Sequence, residues 1–190
     1  QVHGSDLDPA LNPGAQYFGE AQYVTPDDAL AGNGWNNASW ENLTIASSPP
    51  YSASLPDPGT HRQEPAIFAW VDIDPAVTLT SVDIDGRLYF AYRVTDNGDG
   101  TWHYEYAIHN VNSDRSIGSF AVPVDSSVGL ASIGFHDVDY HSNEPYDGTD
   151  WPFTADGTTL TWATTPFATN ANANALRWGT LYNFRFDADT

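Results

Sequence analysis

The fold is decided by residues 87–111, which read RLYFAYRVTDNGDGTWHYEYAIHNV. Two runs of alternating apolar and polar residues flank a loop of Asp, Asn and Gly, which is the pattern of a β-hairpin. With residues 96–100 as a five-residue loop, the predicted register places Thr95 opposite Thr101. It pairs large side chains on one face: Val94 with Trp102, Tyr92 with Tyr104, Phe90 with Tyr106, and Leu88 with Ile108. A slip of one residue would expose four aromatic rings, so the buried face should be fixed.

The opposite face of this hairpin is polar. It carries Arg93 opposite His103 and diagonal to Glu105. A Glu105–His103 pair could do acid–base work, whereas the neighbouring arginine favours a structural ion pair on the solvent face. No other spacing supports a nucleophile with its base and orienting group, so we expect a protein without enzymatic activity.

The hairpin belongs to a longer series of predicted strands. From residue 67 onward, β-branched and aromatic runs are separated by Asp, Gly and Asn at short intervals. The predicted strands are residues 67–73, 77–84, 87–95, 101–111, 117–124, 128–135, 158–164 and 176–186. Residues 67–190 are therefore predicted to form an all-β domain, an antiparallel β-sandwich of immunoglobulin-like or jelly-roll-like type.

Residues 1–66 differ in composition, because they hold eight of the 13 prolines and only short apolar pieces. Loops and one strand within residues 15–24 are predicted there. We expect this segment to be an extension that packs on the domain or on a neighbouring subunit. The alternative is a strand donated to another subunit.

The charge balance excludes several classes of protein. The chain has 25 Asp and Glu against six Arg and no Lys, for a net charge of −19, which opposes binding to nucleic acids and anionic membranes. No apolar run approaches the roughly 18 residues that span a bilayer. The chain has no Met and starts with Gln1, so we expect an extracellular or cell-surface protein exported with its signal peptide removed.

The densest polar cluster follows the predicted strand at residues 128–135. The apolar residues switch there from odd-numbered to even-numbered positions. In a continuous strand this switch predicts a β-bulge at His136 or Asp137. Imidazole and carboxylate ligands suit a divalent cation. Calcium is favoured over zinc because the chain is rich in Asp. The candidate ligands are His136, Asp137, Asp139, His141, Asp147 and Asp150, and His136, Asp139 and His141 would serve a metal-dependent hydrolase. The alternative is an acidic strand end whose histidines bond to the backbone.

A second calcium candidate is the hairpin loop itself. Asp96, Asn97 and Asp99 resemble part of a calcium loop, but Thr95 stands where that pattern needs an acid and the distal Glu is absent. An ordinary hairpin loop is the favoured interpretation, since Asn, Asp and Gly tolerate positive φ.

Seven tryptophans raise the alternative of a carbohydrate-binding module, because aromatic faces stack on sugar rings. Trp35, Trp40 and Trp151 lie in polar segments and are the candidates for exposed stacking rings. The tryptophans of predicted strands are expected in the core, namely Trp70, Trp102, Trp162 and Trp178. Two N-x-[ST] triplets make Asn37 and Asn42 candidate glycosylation sites if the host glycosylates its proteins.

Four segments also carry a family resemblance. They are YEYAIHNVNSDRSIGSFAVPV at 104–124, IGFHDVDYHSNEPYDGTDW at 133–151, LTWAT at 160–164 and ALRWGTLYNFRFDAD at 175–189. Over residues 67–189 the chain resembles a family of exported bacterial β-sandwich proteins of the cell surface or extracellular matrix. The resemblance implies export and a sandwich fold, and it assigns no reaction.

These observations lead to one functional expectation with two alternatives. We expect a non-enzymatic extracellular structural protein, a surface or matrix subunit stabilised by divalent cations that self-associates into a polymer or filament. The alternatives are the carbohydrate-binding module, whose partner would be a polysaccharide, and the metal-dependent hydrolase.

Overall fold

A computed structural model describes residues 2–56, 59–138 and 143–189. The chain forms two compact units, Gln1–Ile73 and Asp74–Thr190. Strands make up 41 % of the chain and helices 8 %, and the sheets are antiparallel. None of the helices among the described residues has the length and apolar character needed to cross a membrane.

The first unit is a small sheet with short helices. Its elements are α1 (Gly4–Leu7), β1 (Tyr17–Gln22), α2 (Pro26–Leu30), β2 (Ala38–Ile45), β3 (Ala53–Ser54), β4 (His61–Arg62) and α3 (Phe68–Ile73). Strand β2 pairs with β1, β3 and β4. Trp40 on β2 is 3 % exposed and stacks on His61 with ring centroids 3.8 Å apart. The predicted strand within residues 15–24 is confirmed as β1.

The second unit is the predicted β-sandwich. Its strands are β5 (Thr78–Asp83), β6 (Arg87–Asp96), β7 (Trp102–Asn110), β8 (Ser119–Pro123), β9 (Leu130–His136), β10 (Phe153–Ala155), β11 (Thr159–Ala163) and β12 (Thr180–Ala188). One sheet has the order β5-β6-β7-β12-β9, and the other has the order β10-β11-β8. Seven of the eight strands predicted after residue 66 are confirmed.

Aromatic side chains fill the core of this sandwich. Trp162 and Phe184 have no exposed surface, and the rings of Tyr104 and Phe186 stack with centroids 4.7 Å apart. Phe90 on β6 and Tyr104, Tyr106 and Ile108 on β7 pack on this core, as the alternation predicted, whereas Trp102 at the start of β7 is 38 % exposed. Burial of side chains of this size supplies the main favourable term for folding, at about 1.5–3 kcal/mol for each large apolar side chain.

The predicted register of the hairpin is wrong by two residues. Val94 faces Tyr104 and Asp96 faces Trp102, so the loop is residues 97–101. The Asp96 carboxylate accepts a hydrogen bond from Gly98 N at 2.8 Å, which turns the chain one residue later than expected. A two-residue shift keeps every side chain on its predicted face, because side chains alternate with period two.

Two further expectations about local structure are wrong. Residues 67–73 contain helix α3 instead of a strand, since a short apolar run has no periodicity that separates the two structures. The turn bonds from Phe68 N to Pro65 O and from Ala69 N to Ala66 O start it. The register of β9 shifts near Ser132, whose φ is 50°, and not at His136 or Asp137.

Candidate functional site

The predicted metal ligands are not assembled by the described residues. Asp139 and His141 lie outside those residues, and His136 is exposed at the end of β9. Asp137 accepts a hydrogen bond from Asn174 Nδ2, and Asp147 Oδ1 accepts bonds from Thr149 N and Oγ1. In the described ranges no three His, Asp or Glu side chains are grouped as metal ligands would be.

The loop at residues 97–101 is a hairpin turn stabilised by its own side chains. Asn97 Nδ2 donates to Thr101 Oγ1 at 2.9 Å, and Asp99 Oδ1 accepts from Thr101 N at 3.0 Å. Gly98 and Gly100 adopt φ values of 76° and 93°, which glycine tolerates best. Asp96, Asn97 and Asp99 are thus used in turn geometry, as the hairpin interpretation predicted.

Asp99 belongs to a recurring turn that the sequence analysis missed. In four D-x-[ST] triplets the Asp Oδ1 accepts hydrogen bonds from both the backbone N and the hydroxyl of the third residue. They begin at Asp99, Asp125, Asp147 and Asp156. These bonds to the charged form lower the pKa of all four carboxyl groups. Part of the acidic composition therefore serves to close turns.

The tryptophans proposed for sugar stacking divide into buried and exposed rings. Trp40 and Trp151 are only 3 % and 2 % exposed, so the expectation that they present a face to solvent is wrong. Trp151 Nε1 donates to Asn174 O inside the sandwich. Trp35 is 39 % exposed, and among the tryptophans expected in the core Trp102 and Trp178 are 38 % and 41 % exposed.

The candidate glycosylation positions lie in the first unit. Asn42 is exposed on β2 opposite Phe18, and Asn37 is half-buried just before that strand. The groove described below is built by residues of the second unit.

The polar face of the large sheet holds a histidine between two carboxylates. His103 Nδ1 is 2.7 Å from Asp187 Oδ1, and its Nε2 is 3.1 Å from Glu105 Oε2. Arg93 lies opposite Glu105, but its Nε donates to Asp74 Oδ2 at 2.8 Å, so the expected Arg93–Glu105 ion pair is wrong. Both imidazole nitrogens are engaged in this arrangement, which suits a structural role better than proton transfer to a ligand.

A groove at one end of the sandwich gathers the polar and aromatic groups best placed to bind a ligand. We call it the Arg177 groove, and it has a volume of about 440 Å³ with an adjoining recess of about 200 Å³. Four segments build it: residues 114–119 leading into β8, residues 144–146 between β9 and β10, residues 163–173 from the end of β11 onward, and residues 175–180 leading into β12. Its volume falls in the range of about 300–1,000 Å³ typical of small-molecule sites.

The lining of the Arg177 groove combines exposed rings with hydrogen-bonding groups. Phe167 lines the groove and is 80 % exposed, and Trp178 lines the recess and is 41 % exposed. Donors and acceptors between them come from Asp114, Arg115, Asn170, Arg177 and Glu144. An open groove of this kind could hold a flat, polar ligand that offers an apolar ring face to Phe167 or Trp178.

The guanidinium of Arg177 is held in this groove by an aromatic ring and a backbone carbonyl. Its Cζ lies 3.5 Å from the centroid of the Tyr146 ring, and Nη2 donates to Ala173 O at 2.9 Å. The groove residues carry no common pattern in the sequence because they come from separate segments of the chain. The predicted strand at residues 176–186 includes Arg177 and Trp178, whereas both precede β12, which begins at Thr180.

Comparison of the chain with protein-family models gives no match, and comparisons with curated proteins and with solved structures give no match either.

Proposed function

We propose that this protein is a non-enzymatic extracellular β-sandwich protein that binds a polysaccharide in the Arg177 groove. The observation that carries the proposal is the pair of exposed rings, Phe167 and Trp178, beside a groove of charged and amide side chains. Sugars need both kinds of contact, because a pyranose has apolar C–H faces and a rim of hydroxyl groups.

A comparison with a second exposed phenylalanine of the same unit supports this choice of site. Phe153 on the edge strand β10 is 48 % exposed but does not line the groove. Phe167 differs because Thr164, Asn170 and Arg177 line the same groove. A stacking ring contributes about 0.5–1.5 kcal/mol beyond the area that it buries, which corresponds to a change of up to about tenfold in affinity.

The experiment is a glycan array followed by calorimetric titration of each retained oligosaccharide. Phe167→Ala and Trp178→Ala should each weaken binding about five- to tenfold. Phe153→Ala is the matched control, since it also removes an exposed ring of the same unit and should leave affinity unchanged. If no glycan is retained, or if the three variants behave alike, the proposal is wrong.

The predicted structural role remains a second candidate, and the edge of the large sheet favours it. Strand β5 is an edge strand, and Val82 and the adjacent Ile84 are 47 % and 55 % exposed. Uncovered apolar side chains on a sheet edge favour pairing with another chain. Light scattering and electron microscopy, with calcium and with a chelator, should then show polymers that Val82→Lys abolishes. Monomers under both conditions would contradict this candidate.

A further inference from the structure

Arginine is scarce in this chain, and two of the six arginines line the Arg177 groove. Arg87 and Arg93 are held in ion pairs with Asp83 and Asp74, each at 2.8 Å. Within the described parts of the chain, neither Arg115 nor Arg177 has a carboxylate within salt-bridge distance. Arg62 and Arg185 are outside the ion pairs of the described residues as well, so the groove is distinguished by bringing two of the six cations together in a protein with a net charge of −19.

Arg177 keeps hydrogen-bond donors available although its guanidinium is fixed. The Tyr146 ring supports the guanidinium plane, and Nη2 is used by Ala173 O. Among the described residues no acceptor takes a hydrogen bond from Nη1, which is the donor that we assign to a ligand; Nε also lacks a partner but is buried. A guanidinium held in this way loses little side-chain entropy when it binds a planar anion.

Resting on the proposed function, we infer that the polysaccharide contains uronic acid residues and that Arg177 binds their carboxylate, with Arg115 as the second cation. Carboxylate is the planar partner that a guanidinium bonds most strongly, through charge-assisted hydrogen bonds. Phe167 and Trp178 would contact the apolar faces of the sugar rings, and Asn170 would bond to hydroxyl groups.

Two carboxylates, Asp114 and Glu144, also face this groove. They suit the hydroxyl groups of the same sugar, for which they are acceptors. The negative charge of the rest of the molecule opposes an anionic ligand only at long range. Because charges in 0.15 M salt are screened over about 8 Å, direct contact with the arginines decides the affinity.

The test compares oligogalacturonate and oligomannuronate with their methyl esters and with neutral oligosaccharides of equal length, by calorimetric titration of the full chain. Methyl esterification removes the charge and leaves the ring faces and hydroxyl groups in place. We expect at least one acid form to bind, and its ester to bind about tenfold more weakly.

Variants identify the residues involved. Arg177→Gln and Arg115→Gln should each weaken binding of the acid form about tenfold and leave binding of the ester unchanged. Arg185→Gln is the matched control, because Arg185 is exposed on β12 and does not line the groove. Arg115 is exposed, so its replacement remains informative even if Arg177→Gln does not fold.

The outcomes separate this inference from the proposed function. Preference for the acid form, lost in both groove variants and kept in Arg185→Gln, supports the inference. Binding of neutral sugars that depends on Phe167 but not on either groove arginine overturns the inference and leaves the proposed function standing. If no saccharide of any kind binds, both are overturned.

Discussion

His103 Nδ1 lies 2.7 Å from Asp187 Oδ1, although 84 residues separate them in the sequence. Their strands, β7 and β12, are neighbours, and the two residues face each other in the ladder. Burial lowers the pKa of His103, but hydrogen bonds to Asp187 and Glu105 outweigh it and raise this pKa above its ordinary value of 6.5. Hydrogen bonds from Ser132 and His103 lower the pKa of Asp187 below 3.8.

The first prediction concerns the pH range in which this pair stabilises the fold. Both groups are charged between about pH 4 and 6.5, and the contribution of His103 is lost as pH rises through its raised pKa. His103→Asn should therefore cost more unfolding free energy at pH 5.5 than at pH 8.5, by at most about 1 kcal/mol after solvent screening. Urea denaturation at both pH values measures this. An equal cost at both would contradict the prediction.

His109 gives the second prediction, with the opposite sign. It is 3 % exposed, and burial lowers the pKa of His109 to about 4. The unfolded chain takes up this proton near pH 6.5, so the contribution of His109 to stability decreases as pH falls from about 6.5 toward 4. In a nuclear magnetic resonance titration its ring signals should stay constant from pH 7.5 to 5 while those of His103 shift. A midpoint for His109 near 6.5 would show that its ring is not held neutral by burial.

The third prediction tests the aspartate turns. Asp156 Oδ1 accepts bonds from Thr158 N at 2.8 Å and Thr159 N at 2.8 Å, just before β11. Asp156→Ala should lower the melting temperature at pH 7, and the loss should disappear in acid, because the native turn loses its charged acceptor as pH falls through the lowered pKa of Asp156. Asp150→Ala, at another exposed Asp, is the control. Equal melting temperatures for the two variants would remove the role assigned to this turn.

The fourth prediction concerns Asn174, which is 1 % exposed. Its Oδ1 accepts a bond from the Tyr182 hydroxyl at 2.6 Å, and its Nδ2 donates to Thr149 O at 3.0 Å. Asn174→Ala should cost about 3 kcal/mol, because it leaves buried partners unsatisfied, whereas Tyr182→Phe should cost about 1 kcal/mol. Chemical denaturation of both variants and of the double variant gives the coupling. If the unfolding free energy lost in the double variant equals the sum of the losses in the two single variants, the Tyr182–Asn174 bond contributes nothing of its own.

The fifth prediction compares Gly86, in the turn between β5 and β6, with Gly134 on β9. A Cβ at Gly86 would lie 2.5 Å from the backbone oxygen of Asn112, whereas a Cβ at Gly134 would meet the Arg185 side chain at 2.7 Å. Backbone cannot move aside at low cost, but an exposed arginine side chain can. Gly86→Ala should therefore destabilise the protein by about 2–4 kcal/mol and Gly134→Ala by less than about 1 kcal/mol. Similar melting temperatures for the two would be inconsistent with this packing.

The groove shows why the candidate site was harder to predict than the fold. Asp114, Phe167 and Arg177 have no common spacing, and only the ends of β8, β11 and β12 bring their loops together. Trp178 was assigned to a strand and to the core, yet β12 begins two residues later, at Thr180. Trp40 and Trp151 were expected to be exposed because their neighbours in the sequence are polar. Neighbours in the sequence do not show which distant residues a side chain packs against.

The antiparallel sandwich, most of its strands and the buried face of its central hairpin could be predicted from the sequence, because alternation of side chains is a local property. The register of the hairpin, the burial of Trp151 and the partners of His103 could be seen only in the folded protein. These depend on contacts between residues far apart in the chain, such as Trp151 with Asn174 and His103 with Asp187. Such contacts carry no periodic signal, since they arise only when separate strands and loops pack together.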